Sequence, residues 1–387
     1  MSEIYIEIFS GGKTISIVEE DRLVEYYEEK EDKLSKVGNI YRARVERVLK
    51  NMNAAFVNIG EGKNAFLGFE DIPSSYKENG SILIKSGDTI LVQVIKDEIG
   101  SKGPKVTMNF SLAGKYIVLS PFKTGISTSK RLHDSDRKYL IELGKNIFPQ
   151  EAGIIFRTNA LGAKEEDILS EYNELFDNYQ MILNQINYLP VPKLVYESPK
   201  FIYKILRDYF NSDKDRVIIN NEDFYKKILE SFGKTSKFST NIQLDIDFNS
   251  KYNQIISRDL KQALQKKVKL SSGGYLLIEE LETLTAIDVN TGSLITGKNY
   301  QDIVLKTNLE AAAEIAIQLR LRNIGGIIIV DFIDMESEKD LDRLKKFLIS
   351  EFKKDRNNPL LVDITKLNLF EVVREREVPS LKNIIKI

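Results

Sequence analysis

Residues 284–335 constrain the fold more than any other part of this chain. LTAIDVN is an apolar run, a long helical stretch follows, and IIIVDFIDM is a second apolar run. Between them Leu305, Leu309, Ala312, Ala316 and Leu319 alternate steps of four and three, the spacing of one helix face. Strand, helix and strand in that order make an α/β layer, and such crossovers usually lay their strands side by side in one sheet. Asp302, or Thr307 with Glu310 as a capping box, is placed to start the helix. Arg320 and Arg322 suit its last turn, and Gly325 and Gly326 are expected to stop it. IIIVDF lacks polar alternation, which predicts a strand buried on both faces. YLLIEE, just upstream, is expected to pair with TLTAIDVN in a hairpin turning at about 279–282.

Each of these two strands carries an aspartate near its end, Asp288 in one and Asp331 in the other. A carboxylate costs several kcal/mol to desolvate unless something pairs with it. Strand alternation puts Asn290 on the face of Asp288, about 7 Å along, and Asp334 follows Asp331 by three residues. Two carboxylates converging at neighbouring strand ends repel, and a divalent cation resolves the conflict. The sequence has no Cys and a single His, His133, which lies in a polar loop and receives no role. Disulfides, thiolate zinc sites, Cys nucleophiles, HExxH sites and two-histidine acid–base chemistry are thereby excluded. Hard oxygen donors alone favour Mg²⁺, or Mn²⁺, over zinc. The plainer alternative has Asp288 capping a turn before Gly292 and Asp331 satisfied by backbone donors or an arginine.

Upstream the pattern changes. IYIEIF, TISIVEE and LVEYYEE read as a small antiparallel meander broken at Gly11-Gly12 and near Asp21. Residues 36–115 hold short strands between glycine turns, which suggests a small barrel, with 12 Lys/Arg against 8 Asp/Glu. KYIVLSP and AGIIFRT are strand-like, and a helical run from about Lys164 to Tyr188 ends before Pro190 and Pro192. Residues 193–270 mix helix and strand and end in a basic stretch, LKQALQKKVKLSSGG, either a solvated helix face or a surface for RNA. Hydrophobic content of 42% and charged content of 29% fit an ordinary globular chain. No run reaches the roughly 18 apolar residues of a membrane span, and the start lacks a signal-peptide layout, so a cytoplasmic protein without membrane insertion is expected.

AIDVNTG and KTNLEAAAEIAIQLRLRNIGGIIIVDFIDM together resemble the catalytic segment of the ribonuclease E/G family of bacterial endoribonucleases. GNIYRARVERVLKNMNAAFVNIGEGKNAFLGF resembles that family's S1 domain, and FSLAGKYIVLSP and IIFRT its later segments; the likeness is weakest over about 193–265. The resemblance implies a multidomain α+β and α/β fold. Residues 1–35 with 200–265 would form an RNase H-like subdomain and 36–115 an S1 (OB-fold) RNA-binding barrel. Residues 116–199 would form a 5′-sensor region and 266–387 a DNase I-like α/β catalytic subdomain.

It further implies Mg²⁺-dependent hydrolysis of single-stranded RNA to 5′-phosphate and 3′-hydroxyl ends, in rRNA and mRNA processing and decay. By position, Asp288 and Asp331 match the metal-binding aspartates and Asn290 the asparagine that supports them. Phe56, Phe66 and Lys102 match RNA-contacting positions; core phenylalanines and an exposed loop lysine are the plain alternatives. Gly114, Val118, Arg157 and Thr158 match a pocket for a 5′-monophosphate, and Arg374 an arginine that supports it. Thr128 stands where the pocket is expected to have an arginine. The cysteine pair that links family protomers through zinc has no counterpart, so a zinc-linked tetramer is not expected, while a homodimer stays open. A non-catalytic S1-type RNA-binding protein is the competing reading.

Overall fold

The computed structural model describes residues 2–30, 35–79, 81–98, 102–130, 132–149, 153–185, 188–210, 214–232, 241–292, 300–375 and 378–385. They fall into two compact units: residues 1–33 with 211–387, and residues 34–210. Among the described residues no helix is long and apolar enough to cross a membrane.

The chain begins in the first unit with the expected meander: β1 (Ser2–Phe9), β2 (Gly12–Glu19) and β3 (Arg22–Lys30), paired antiparallel in sequence. Glu20 and Asp21 make the second turn at φ of 48° and 57°, left-handed values that carboxylate-bearing side chains seldom adopt outside turns.

The second unit follows. A barrel forms from β4 (Ile40–Leu49), β5 (Ala54–Asn58) and β6 (Ala65–Gly68), a minor hairpin of β7 (Lys77–Glu78) and β8 (Ser81–Ile82), then β9 (Thr89–Lys96) and β10 (Lys105–Thr107). Strands run in the order β4-β5-β6-β10-β9, and β9 pairs back onto β4, so five strands close on themselves. Inward positions alternate as closure requires: Ala43, Val45, Ala55, Val57, Ala65, Leu67, Val92 and Val106 are all buried in one core. A second core lies under a four-strand sheet of β11 (Leu112–Ala113), β12 (Ile117–Leu119), β13 (Ile126–Thr128) and β14 (Ile154–Phe156), ordered β11-β12-β14-β13. Against it pack α1 (Asp134–Ile147) and α2 (Glu165–Gln185); β15 (Lys193–Tyr196) adds to β4, and α3 (Phe201–Tyr209) closes the unit.

On return to the first unit, β16 (Arg216–Ile219) pairs parallel with β1, and after α4 (Glu222–Phe232), β17 (Ile242–Leu244) pairs parallel with β16. The first sheet is therefore β17-β16-β1-β2-β3. Next come α5 (Gln254–Ala263), β18 (Lys267–Lys269), β19 (Tyr275–Glu280), β20 (Leu284–Asn290), α6 (Tyr300–Leu321), β21 (Gly326–Asp331), α7 (Glu338–Phe352), β22 (Leu360–Ile364), β23 (Leu369–Arg374) and α8 (Leu381–Ile384). They build a six-strand sheet, β18-β19-β20-β21-β23-β22, in which β20 and β21 are parallel neighbours joined through α6, as expected.

Four local expectations are corrected. β21 buries one face only: Ile328 and Val330 are fully covered by the core that includes Ala312, Ile315 and Leu344, whereas Ile327 is 52% exposed. α6 is already helical at Tyr300, so Thr307 is a buried interior residue and Glu310 caps something else: its carboxylate accepts from the backbone N–H of Ser271 and Ser272. Asn323, not a glycine, stops α6. It adopts φ 49°, donates its N–H to Arg320 and lets Ile324 reach Leu319, the paired bonds of a Schellman turn. Finally, the basic stretch is not one helix face, because α5 ends at Ala263 and Lys267–Lys269 is a strand.

Candidate active site

Asp288 and Asp331 are register partners on the parallel strands β20 and β21. Alternation along β20 sends Thr285, Ile287 and Val289 into the core and leaves Ala286, Asp288 and Asn290 on the opposite face. Neighbouring strands lie about 4.8 Å apart, so the two carboxylates stand side by side at the carboxyl ends of their strands, where open α/β sheets bind ligands. The Asn290 side-chain amide donates to Asp288 at 2.7 Å and fixes its orientation. Burial, then the charges of Asp288 and Asp334, push the Asp331 carboxyl above its ordinary range. Burial and like charge both disfavour the ionised form, and both work in the same direction here.

Support comes from a residue the sequence reading passed over. Asn308, completely buried in α6, donates its amide to the Ile333 carbonyl at 2.8 Å and accepts the Ile333 N–H at 3.1 Å. This two-way clasp holds the backbone that leaves Asp331. Its only sequence signal is an asparagine inside a helix, where asparagine is a poor choice unless its side chain has work elsewhere. Asp334 accepts from Asn368 at 3.4 Å.

No group of three or more acidic or histidine side chains is arranged to hold a metal among the described residues. Two carboxylates are nonetheless the usual protein share of a Mg²⁺ site, which keeps several waters and takes substrate phosphate oxygens. The donor set fits a hard cation. A cleft of about 770 Å³ opens at the opposite ends of these strands, lined by Leu284, Thr285, Gly326 and Arg374 among others, away from the acids.

In the second unit Phe56 and Phe66 are also register partners, on β5 and β6. Both point out of the barrel, between inward-facing neighbours, and are half-buried; neither belongs to its core. Their rings meet edge to face at 6.0 Å. Arg47 on β4 is beside Phe56, and Lys105 on β10 is beside Phe66, so the pair is flanked by cations. Lys105 is also held by Asp71 at 2.9 Å, and Lys102 is exposed nearby in the chain.

Gly114, Val118, Arg157 and Thr158 gather at one end of the four-strand sheet. Val118 pairs with Ile155, the Arg157 N–H donates to the Tyr116 carbonyl, and Arg157 Nη1 donates to the Gly114 carbonyl. The same Nη1 donates to Asp208 Oδ1 at 2.8 Å; Arg207 Nε donates to that oxygen too, at 2.8 Å, and Arg207 Nη2 reaches Oδ2 at 3.3 Å. Arg157 Nε and Nη2 have no partner among the described residues. Thr128 is beside Phe156 and accepts from Arg137 Nε of α1 at 3.3 Å, so a guanidinium does reach this edge. Glu171 accepts the N–H groups of Lys115, Tyr116 and Ile117 and shapes the turn at Gly114. Arg374 belongs to the first unit. It is 3% exposed, with its donors on Asp355, Asn323 and the Ile324 carbonyl.

A closed five-strand barrel consistent with the OB/S1 type, together with an acid pair on a mixed α/β sheet, defines a multidomain α+β protein. A model of the ribonuclease E/G family matches residues 111–377. Ribonuclease E of Nostoc sp. (strain PCC 7120) is 36% identical over 88% of this chain and 51% of its own length. A ribonuclease E/G-like protein of Pyropia yezoensis is 37% identical over 90% and 71%, and ribonuclease G of Escherichia coli K12 is 31% identical over 99% and 82%. The chain spans about half the length of the Nostoc relative. It belongs to the ribonuclease E/G family.

Proposed function

We propose that the chain is a Mg²⁺-dependent endoribonuclease that hydrolyses single-stranded RNA in RNA processing and decay. The observation that carries this reading is the side-by-side placement of Asp288 and Asp331 at the ends of parallel strands, braced by Asn290, in the segment the family shares. Asp288 and Asp331 would hold the cation, Asn290 would keep Asp288 aimed, and Asn308 would hold the turn after Asp331. A divalent cation bound there supplies Lewis-acid polarisation of the phosphate and a more acidic water. Water oxygen bonds to phosphorus as the bond to the 3′ oxygen breaks, leaving a 5′-phosphate and, after protonation, a 3′-hydroxyl. Proton transfer would run through water, since the acid-bearing strands carry no histidine.

Phe56 and Phe66 would stack unpaired bases while Lys102 and its basic neighbours meet phosphates. The two uncommitted Arg157 nitrogens, Nε and Nη2, with Thr158 and the turn through Gly114 and Val118, suit a terminal phosphate and so a preference for 5′-monophosphate RNA. Arg374, its donors already taken, would support the fold rather than touch that phosphate. The strand order of the first sheet supports an RNase H-like subdomain, and the acid-bearing sheet a DNase I-like one.

The test is a labelled single-stranded RNA incubated with Mg²⁺ or with EDTA. Wild type should cut only with Mg²⁺, and Asp288→Asn or Asp331→Asn should lower the rate about 100-fold or more, the scale of losing one charge-stabilising group, while RNA binding persists. RNA left intact by wild type in Mg²⁺ would favour the non-catalytic RNA-binding reading. Equal rates on 5′-monophosphate and 5′-hydroxyl substrates would retire the 5′-end preference.

A further inference from the structure

The lysines of the basic stretch have no part in the reaction proposed above, yet β18 puts them on the acid-bearing face. Lys267 pairs with Leu277 and Lys269 with Tyr275; Leu277 and Tyr275 in turn pair with Asp288 and Asn290. Directly opposed residues share a sheet face, and Val268 between the lysines is fully buried on the other side. Lys267 and Lys269 therefore stand on the face of the acid pair, with Lys267 two strand spacings, about 10 Å, from Asp288. Lys267 Nζ lies 3.5 Å from the centroid of the Tyr275 ring, which holds the ammonium over the sheet. Glu279, on the same face of β19 as Tyr275 and Leu277, is already paired with Lys266 at 2.9 Å. Neither Lys267 nor Lys269 has an ion pair or side-chain hydrogen bond among the described residues, and both are exposed.

Lysines on an edge strand also deter strand-to-strand aggregation. That role calls for charge at the edge, but not for an aromatic ring under one ammonium or for a common row with two aspartates. Cations and a ring on an open groove are the means by which proteins track single-stranded nucleic acid. We infer that Lys267, Lys269 and Tyr275 form a backbone-binding strip that holds the single-stranded RNA immediately beside the phosphate placed at Asp288 and Asp331. The inference rests on the ribonuclease reading and deepens it. The strip takes phosphates, so it adds affinity and register without base preference.

Its test compares the full chain with a Lys267→Gln/Lys269→Gln double variant. Binding of a labelled single-stranded oligoribonucleotide is measured over a salt series in the cleavage-silent Asp288→Asn background, and steady-state cleavage in the otherwise unaltered protein. The salt slope should fall by about 1.4, roughly 0.7 for each single-strand phosphate contact, and KM should rise while kcat is kept. Lys267→Arg/Lys269→Arg should restore both, since the charge returns. An unchanged slope and KM in the glutamine variant would overturn the strip and leave the nuclease standing. A parent protein that neither binds nor cuts RNA would overturn both.

Discussion

At the scale of single residues, charge placement separates site from scaffold. Asp331 is a crowded acid with its neighbour Asp288 across the strands, whereas Asp208 is a carboxylate already answered. Burial works against ionising Asp208, but hydrogen bonds from Arg207 and Arg157 outweigh it and hold the carboxyl below the usual 3.8. Between the folded and unfolded values the unfolded chain binds more protons, so stability rises with pH there. The contribution is therefore complete above 3.8 and fades as pH falls through the lower folded value. Urea midpoints of wild type and Asp208→Asn should differ at neutral pH and converge below 3.8. A gap that stays constant into acid would mean the arginines do not depend on this charge. Because Asp208 also occupies one Arg157 donor, its removal should alter the proposed preference for 5′-monophosphate RNA, read as the ratio of cleavage rates on 5′-monophosphate and 5′-hydroxyl substrates.

At the scale of elements, the informative features are pairs across strands and clasps between a helix and a loop. Phe56 and Phe66 come from neighbouring barrel strands and touch only because their register matches. Both rings lie outside the barrel core, so Phe56→Ala and Phe66→Ala should each weaken single-stranded RNA binding by about 1–3 kcal/mol. Their thermal midpoints should move little. A large loss of stability with unchanged RNA affinity would return these rings to a packing role. α6 works differently. It carries Ala312, Ile315 and Leu319 into the acid-bearing sheet's core, Asn308 to the Ile333 backbone, and Arg320 to Glu19 and Glu25 of the first sheet. One helix thus serves two sheets of the same unit, which explains why its burial extends well beyond the single face read from the sequence.

At the scale of the whole molecule, the chain leaves the first unit after β3 and returns to it at β16, with the second unit continuous between. Residues 34–210 contain a closed barrel and a second core of their own. Expressed alone, this segment should fold cooperatively, as circular dichroism would report, and should bind single-stranded RNA without cutting it in Mg²⁺. Cleavage by that segment would contradict the assignment of chemistry to Asp288 and Asp331. Failure to fold would mean that its cores need the first unit.

The sequence by itself determined the strand–helix–strand layer, the barrel and the sharing of one face by Asp288 and Asn290. These follow from local periodicity, which is written into neighbouring residues. The absence of Cys and the single His likewise restrict the metal chemistry by composition alone. Only the tertiary structure decided the register that sets Asp288 opposite Asp331, the clasp of Asn308 on Ile333, the commitment of Arg374 to Asp355, and the alignment of Lys267 and Lys269 with the acids. Pairing between strands and contacts across a core join residues far apart in the chain, and a one-residue slip of a strand would turn its acid or lysine side chains to the opposite face. Local pattern carries no record of that choice; the packing of the two sheets around α6 makes it.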